Sequence, residues 1–339
     1  MLTDDLAAVA EQSIAKRASR GGDSLRIRRK LLVPAAEASG ASLLHITEAV
    51  RLPIRITLPW IVTAHDLIPL RFPLRYHFTP IGYLQEYLRD ILIYHRAHRI
   101  AAISHKSALD IQALLRVPSS RVDVIPLGID LARWRTPPSD ASERRARLLV
   151  GQRPYVVYAG YSDYRKNVEG MLAALAWARQ RVDFELVWAG KLPDKECRKI
   201  ERLAHKLKLD RHVRLLGYVS DDDLVALFHG ATAHLFLSKL EGFGLTVAEA
   251  MAAGCPAVVA RNSGSDELAG SGAMVVDGSN PMEAGNALVH LLLDQRTRQR
   301  LVDEGLRRIA LATRESMARK YVDAYCRVLF GRPLNGTSA

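Results

Sequence analysis

Short β-branched apolar runs alternate with segments of helical periodicity along almost the whole chain. WIVTAHDL, HRIAAIS and VDVIPLG mark the first half; YVVYAG, FELVWAG, VRLLGYV, AHLFLS and CPAVVA mark the second. This alternation predicts βαβ units and parallel sheets. Each run is apolar almost end to end, as strands covered on both faces by crossover helices require. The pattern breaks at RTPPSDASERRARLLVG, residues 135–151, where a Pro-Pro-Ser-Asp turn precedes a new strand beginning at Tyr155. We therefore expect a linker over residues 130–152, an amino-terminal Rossmann-like domain over 1–148 and a carboxy-terminal one over 149–339. Residues 1–20 read as a helix. The last apolar pattern, SMARKYVDAYCRVLF, sets Met317, Tyr321, Tyr325 and Leu329 on one face of a closing helix.

Composition fits this picture. The 339 residues exceed the roughly 100–200 of one domain, and 48% apolar with 25% charged residues is the balance of an ordinary globular protein. No apolar run approaches the roughly 20 residues needed to span a bilayer, and the opening MLTDDLAAVAEQSIAKRASR has no apolar core of a secretory signal, so a cytoplasmic protein is expected. Cys197, Cys255 and Cys326 lie far apart with no Cys-x-x-Cys spacing, which argues against a disulfide framework and against structural zinc. The net charge of +12 is uneven: residues 1–150 carry 22 Lys and Arg against 14 Asp and Glu, leaving 26 against 22 for the rest. The densest basic stretch, KRASRGGDSLRIRRK at 16–30, could meet anionic lipid headgroups, nucleic acid or plain solvent, and of the partners an anionic membrane surface is expected rather than nucleic acid.

In open parallel sheets ligands bind at the carboxyl ends of the strands, and two such domains on one linker would face each other across a cleft. The stretch LSKLEGFGLTVAEAMAAGCPAVVA, residues 237–260, carries the chemistry expected there. If AHLFLS is a strand and LTVAEAMAAG a helix, Gly242, Phe243 and Gly244 form the turn between them. The helix then offers unpartnered amides and a partial positive charge to a phosphate, and the glycines let it approach the backbone. Glu241 before the turn and Glu249 inside the helix would be repelled by phosphate, so sugar hydroxyls are their natural partners. Taken alone, the two acids read as a loop charge and an exposed helix residue.

Glu241 and Glu249, seven residues apart within EGFGLTVAEAMAAGCPAVVA, resemble the paired-glutamate motif of the retaining GT-B glycosyltransferases, the family-4-like group of glycosyl transferases group 1. HDLIPLRFP at 65–73, AISHKSALDI at 102–111, VIPLGID at 124–130, AGYSDYRKN at 159–167 and LLGYVSDDDLVALFHGA at 215–231 follow the same family's order. The resemblance implies two Rossmann-like domains around a cleft and a nucleoside-diphosphate sugar, GDP- or UDP-linked, as donor with no further cofactor. It implies that Glu249 holds the donor ribose and Glu241 the transferred sugar. Amides at Gly244, Leu245 and Thr246, with Arg165 and Lys166, would bind the diphosphate without a metal. Gly160, Tyr218 and Val219 would line the donor pocket, and His65, at the end of the VTAH run, would face the donor sugar. His65 reads equally as a core histidine, Tyr218 and Val219 as simple packing. The acceptor implied is a saccharide or lipid-linked saccharide, and retention of configuration comes from the resemblance only.

The chain departs from the family in three places. The opening strand with its Gly-Gly loop has no counterpart, since Gly21-Gly22 follows RASR; the usual proline after Phe-Gly-Leu is Thr246; and Tyr161 stands where many members have arginine. Asp221, Asp222 and Asp223 suggest a metal at first sight, but Ser220 ahead of them reads as a helix N-cap. His95, His98 and His105 lack a carboxylate at metal spacing, and Gly190-Lys191 is followed by Leu192 rather than by the Ser or Thr of a phosphate loop. Hexosyl transfer, with mannose or glucose as the hexose, is the first reading. A sugar-nucleotide epimerase or phosphorylase and a non-catalytic nucleotide-sugar-binding protein are the competing ones.

Overall fold

The computed structural model describes residues 33–48, 56–77 and 79–333. The helix expected over 1–20, Gly21-Gly22 and the basic stretch 16–30 lie outside them. By contact the chain forms two units. One takes the chain up to Ile103, Ser107–Ile125 and the chain from Ala318; the other takes Ser104–Lys106 and Pro126–Met317.

The first unit holds a parallel sheet of β1 (Leu44–Ile46), β2 (Trp60–Ala64), β3 (Arg99–Ala102) and β4 (Val122–Val124), in that spatial order. WIVTA of β2 is buried along its whole length, as its unbroken apolar pattern requires. Ile100, Ile111, Leu115 and Val62 anchor this core.

The second unit is built on β5 (Tyr155–Ala159), β6 (Glu185–Ala189), β7 (Val213–Gly217), β8 (Ala233–Phe236), β9 (Ala257–Ala260) and β10 (Ala273–Val276). All pair in parallel, in the order β10-β9-β8-β5-β6-β7. Chain order thus reverses between β5 and β8, the switch point of a Rossmann sheet. Trp188, Tyr158, Phe184, Phe228 and Phe236 fill its interior.

Two strands escaped the sequence reading, β1 and β10. Both are short, and the middle of AMVV is only partly covered. The division also differs from the expected boundary at 148. Trp134 is buried with its indole against Phe228 at 5.7 Å, and the helix Asp140–Val150 packs on the helix Asp221–Gly230, so the Pro-rich stretch is part of the second unit. The closing helix Arg314–Phe330, expected with the carboxy-terminal domain, gives its residues from Ala318 on to the first unit. There Tyr321 bonds the Thr63 hydroxyl at 3.0 Å, and Tyr325 bonds Nδ1 of His45 at 2.8 Å.

Candidate active site

Because all six strands of the second unit run parallel, the loops that follow them emerge at one edge. Those after β5 and β8 flank the switch point. The loop after β5 opens with Gly160 at φ +147°, and the one after β6 with Gly190 at φ +155°. A Cβ on Gly190 would stand 2.2 Å from the Gly160 carbonyl oxygen, so the two turns close back to back only as glycines. A short 3-10 turn, Tyr164–Lys166, capped by Asp163, then brings Arg165 and Lys166 toward the loop after β8.

Glu241 receives both. Lys166 Nζ donates to Oε1 at 2.7 Å, and Arg165 Nη1 donates to Oε2 at 2.5 Å. Glu241 is 8% exposed and Lys166 is 7% exposed, so this is a buried ion cluster, and Arg165 also reaches Asp163 at 3.1 Å. Burial pushes the Lys166 ammonium below its ordinary pKa, against the pull of Glu241. The Lys166 ammonium also sits over the Phe236 ring at 4.7 Å. Arg165 and Lys166 thus lie among the carboxylates of Glu241 and Asp163.

The turn beyond Glu241 is held by a third loop. Glu241 N–H donates to the Ser263 carbonyl at 2.6 Å, and a Cβ on Gly264 would lie 2.4 Å from the Glu241 carbonyl oxygen. Gly242 and Phe243 are buried, and Gly244 adopts φ +88° ahead of the helix Leu245–Ala252. No side chain caps that helix. Leu245 is 44% exposed, and Thr246, next along, keeps a buried hydroxyl without a hydrogen-bond partner. The hydroxyls of Ser238 and Ser265 are in the same condition. Uncapped amides and orphaned hydroxyls around one turn are an arrangement prepared for an anion or a polyol. The sequence reading missed Ser238, Ser263, Gly264 and Ser265. The signal available was NSGS, small polar residues directly after the CPAVVA strand.

Glu249 lies in a different environment. It is half-buried, and its carboxyl is pushed up to about 7, first by burial and then by Asp221, with Arg133 pulling the other way. Arg133 itself pairs with Asp221 and Asp222, each at 3.3 Å, and Arg145 pairs with Asp223 at 2.8 Å. Ser220 accepts from Asp223 N–H at 3.2 Å, the N-cap expected of it. Tyr218, 77% exposed, and Val219 follow β7 at the same edge, so the tyrosine ring is not core packing. The structure thus unites Glu241, Arg165 and Lys166 and sets Gly242–Thr246 beside them, while Glu249 answers to Arg133 and Asp221. In the first unit, His65 directly follows β2, is exposed, and donates from Nε2 to the Thr47 carbonyl at 2.9 Å.

Comparison with known proteins bears on the family and the fold. The family model for glycosyl transferases group 1 matches residues 139–308, half of the chain, and the model for Glycosyltransferase Family 4 matches residues 23–133. The protein belongs to the glycosyl transferases group 1 family, and its two parallel sheets are the α/β architecture of GT-B glycosyltransferases. Over 190 residues it is 32% identical to the GDP-mannose-dependent alpha-(1-6)-phosphatidylinositol monomannoside mannosyltransferase of Mycobacterium tuberculosis, covering 52% of this chain and 48% of that one. It is 27% identical over 263 residues to O-antigen chain mannosyltransferase B of Escherichia coli, covering 77% and 66%. The chain therefore spans about half to two thirds of the length of these curated relatives. Among solved structures, the fold is similar to sucrose-phosphate synthase from Thermosynechococcus elongatus, with TM-score 0.72, 22% identity and coverage of 88% and 77%. It is also similar to Anabaena HepE in complex with UDP and glucose, with TM-score 0.72, 19% identity and coverage of 87% and 82%.

Proposed function

We propose that this protein transfers a hexose, mannose or glucose, from a GDP- or UDP-linked donor to a hydroxyl of a saccharide or lipid-linked saccharide, with retention and without a metal. The observation that carries the reading is the buried cluster of Glu241, Arg165 and Lys166 beside the uncapped helix at Gly244. Breaking a sugar-phosphate bond leaves a nucleoside diphosphate whose charge grows as the bond lengthens. Fixed amides at Gly244, Leu245 and Thr246, with Arg165 and Lys166, meet that charge without reorganising. Glu241 then turns to hydroxyls of the transferred sugar as its cations move to the phosphates. Glu249 accepts from the ribose, Tyr218 and Val219 border the base, and Gly160 gives the donor room.

Relatives named as mannosyltransferases favour a hexose, and one of them acts on a phosphatidylinositol mannoside, which supports a lipid-borne acceptor. In this reading the protein works at the cytoplasmic membrane face, with the basic stretch 16–30 drawing the first unit to anionic lipid. Among the described residues no helix is long and apolar enough to cross a membrane.

The test is a thermal-shift screen of nucleotides and nucleotide sugars, followed by turnover of the best donor in EDTA. A donor that binds only the folded protein raises Tm, and activity persists under chelation. Donor binding with neither transfer nor donor hydrolysis would leave a binding protein. Loss of activity in EDTA with recovery on adding magnesium would return Asp221, Asp222 and Asp223 to consideration.

A further inference from the structure

Tyr158 on β5 and Trp188 on β6 are register partners, fully buried, with ring centroids 4.5 Å apart. A buried phenol or indole needs a hydrogen-bond partner for its polar end. Both find theirs in the loop that follows β5. Trp188 Nε1 donates to the Gly160 carbonyl at 3.0 Å, and the Tyr158 hydroxyl donates to the Tyr161 carbonyl at 2.8 Å. Two successive carbonyls are thereby tied to the core.

A trans peptide unit points its N–H opposite to its C=O, and the peptide bonds of the described residues are all trans. The units that join Gly160 to Tyr161 and Tyr161 to Ser162 therefore turn the amides of Tyr161 and Ser162 away from the core, at the carboxyl edge of β5. Among the described residues neither amide has a hydrogen-bond partner. Tyr161 is 68% exposed and Ser162 is half-buried, so a ligand can reach both. The Ser162 hydroxyl donates to Glu196 Oε2 at 3.0 Å, which leaves the amide as that residue's free donor. Successive N–H groups presented to one side attract an anion. Arg165 and Lys166 follow on the same loop, whose far end is fixed by Asn167 Nδ2 donating to the carbonyls of Leu237 and Gly278 at 3.1 and 2.7 Å. A diphosphate is the class of ligand that meets both the amide pair and those two cations.

We propose that the amides of Tyr161 and Ser162 bind the diphosphate of the donor, and that Tyr158 and Trp188 are positioning residues that aim them. The inference rests on the proposed function in taking the anion to be that diphosphate. Arg165 and Lys166 supply charge on side chains; the two amides add donors whose direction is set from within the core before any ligand arrives.

NMR of the full chain, grown with tyrosine carrying the heavy nitrogen isotope, tests this; Tyr161→Phe identifies the Tyr161 signal by its loss. The probes are GDP, UDP, guanosine, uridine and inorganic pyrophosphate. The nucleotide that binds is expected to move the Tyr161 amide proton downfield, pyrophosphate to do the same, and the matching nucleoside to leave it in place. In titration calorimetry, Tyr158→Phe/Trp188→Phe is expected to weaken the nucleoside diphosphate about tenfold, as for one or two misaimed hydrogen bonds, with nucleoside affinity unchanged. If the double variant melts early, Tyr158→Phe alone serves, since it keeps the ring, with a smaller loss expected. Equal weakening of nucleoside and nucleoside diphosphate would make the two aromatics structural only and overturn the inference. So would a nucleotide that binds with the Tyr161 signal unmoved, or a variant that binds as the wild type does. Should no nucleotide bind, pyrophosphate decides: a shifted Tyr161 amide keeps the anion site while the donor reading falls, and an unmoved one removes both.

Discussion

At the scale of single residues, the Glu241 cluster and Glu249 put opposite demands on the fold. Glu241 and Lys166 are buried and Arg165 is half-buried against them, so removing one charge strands the others. We expect Glu241→Gln or Lys166→Met to cost about 3–5 kcal/mol in urea melts, and the double variant to cost less than the sum. Transfer should fall in all three, so recovered stability without recovered activity separates the two roles. Additive costs would mean the pair is not coupled. Glu249 is the reverse case. Its carboxyl, raised from 4.5 to about 7, takes up a proton on folding, so its ionisation costs stability as pH rises through that window. Glu249→Gln should raise Tm by a few degrees at pH 8, about 1–2 kcal/mol after allowing for partial exposure, and much less at pH 5. Donor affinity of the wild type should increase from pH 6 to pH 8, because the carboxylate is the better acceptor for ribose hydroxyls. Isothermal titration at both pH values checks this, and an affinity that is flat with pH, or lost equally in the Gln variant at pH 5 and 8, would count against the ribose role. Both glutamates were legible as acids beside a glycine turn. Their different partners were not, because Arg165 and Arg133 reach them from elements 76 and 116 residues earlier in the chain.

Among elements, the strands were the readable part. Eight apolar runs gave eight strands: six are buried almost throughout, as an unbroken apolar run requires, while β4 and β7, whose runs carry Asp123 and Arg214, lie at sheet edges and are only partly covered. The loops at the carboxyl edge were readable only where glycine marked them. Gly244 is required twice over: φ is +88°, and a Cβ would lie 2.6 Å from the Ser265 hydroxyl oxygen. Gly244→Ala should therefore lower stability by about 1–3 kcal/mol and weaken donor binding by displacing the first helical amides. Ser265→Gly in the same chain should restore part of the stability, since it removes the clash but not the backbone strain. Chemical melts of the single and double variants decide it; no recovery would place the whole cost in the backbone. The loop Asn262–Ser265 that braces Glu241 went unread: NSGS marks a turn, but contacts through backbone carbonyls and small hydroxyls leave no trace of what the turn touches.

For the whole molecule, the sequence marks a boundary and the packing moves it. A Pro-Pro turn at 137–138 is a natural domain break, yet Trp134 is buried 5.7 Å from Phe228 and the helix Asp140–Val150 lies on the helix that carries Phe228. The far end of the chain moves the other way. Tyr321 and Tyr325 close a chain of hydrogen bonds through Thr63 and His45, 258 and 280 residues away, which no local pattern could announce. Two fragments distinguish the alternatives. A fragment of residues 126–317 keeps the six strands, Trp134 over Phe228 and the start of the closing helix. A fragment of residues 149–339 loses Trp134 and the helix over Phe228 and carries tyrosines whose partners are gone. We expect the first to melt cooperatively and to retain nucleotide binding, because Arg165, Lys166, Glu241, Glu249 and the turn at Gly244 are all its own. The second should melt at lower temperature, by roughly the 3–5 kcal/mol typical of uncovering a large aromatic contact, and should expose apolar surface to a dye such as ANS. Equal stability of the two would mean that the helix Asp140–Val150 and Trp134 contribute little to the second unit, and would restore the boundary at the proline turn.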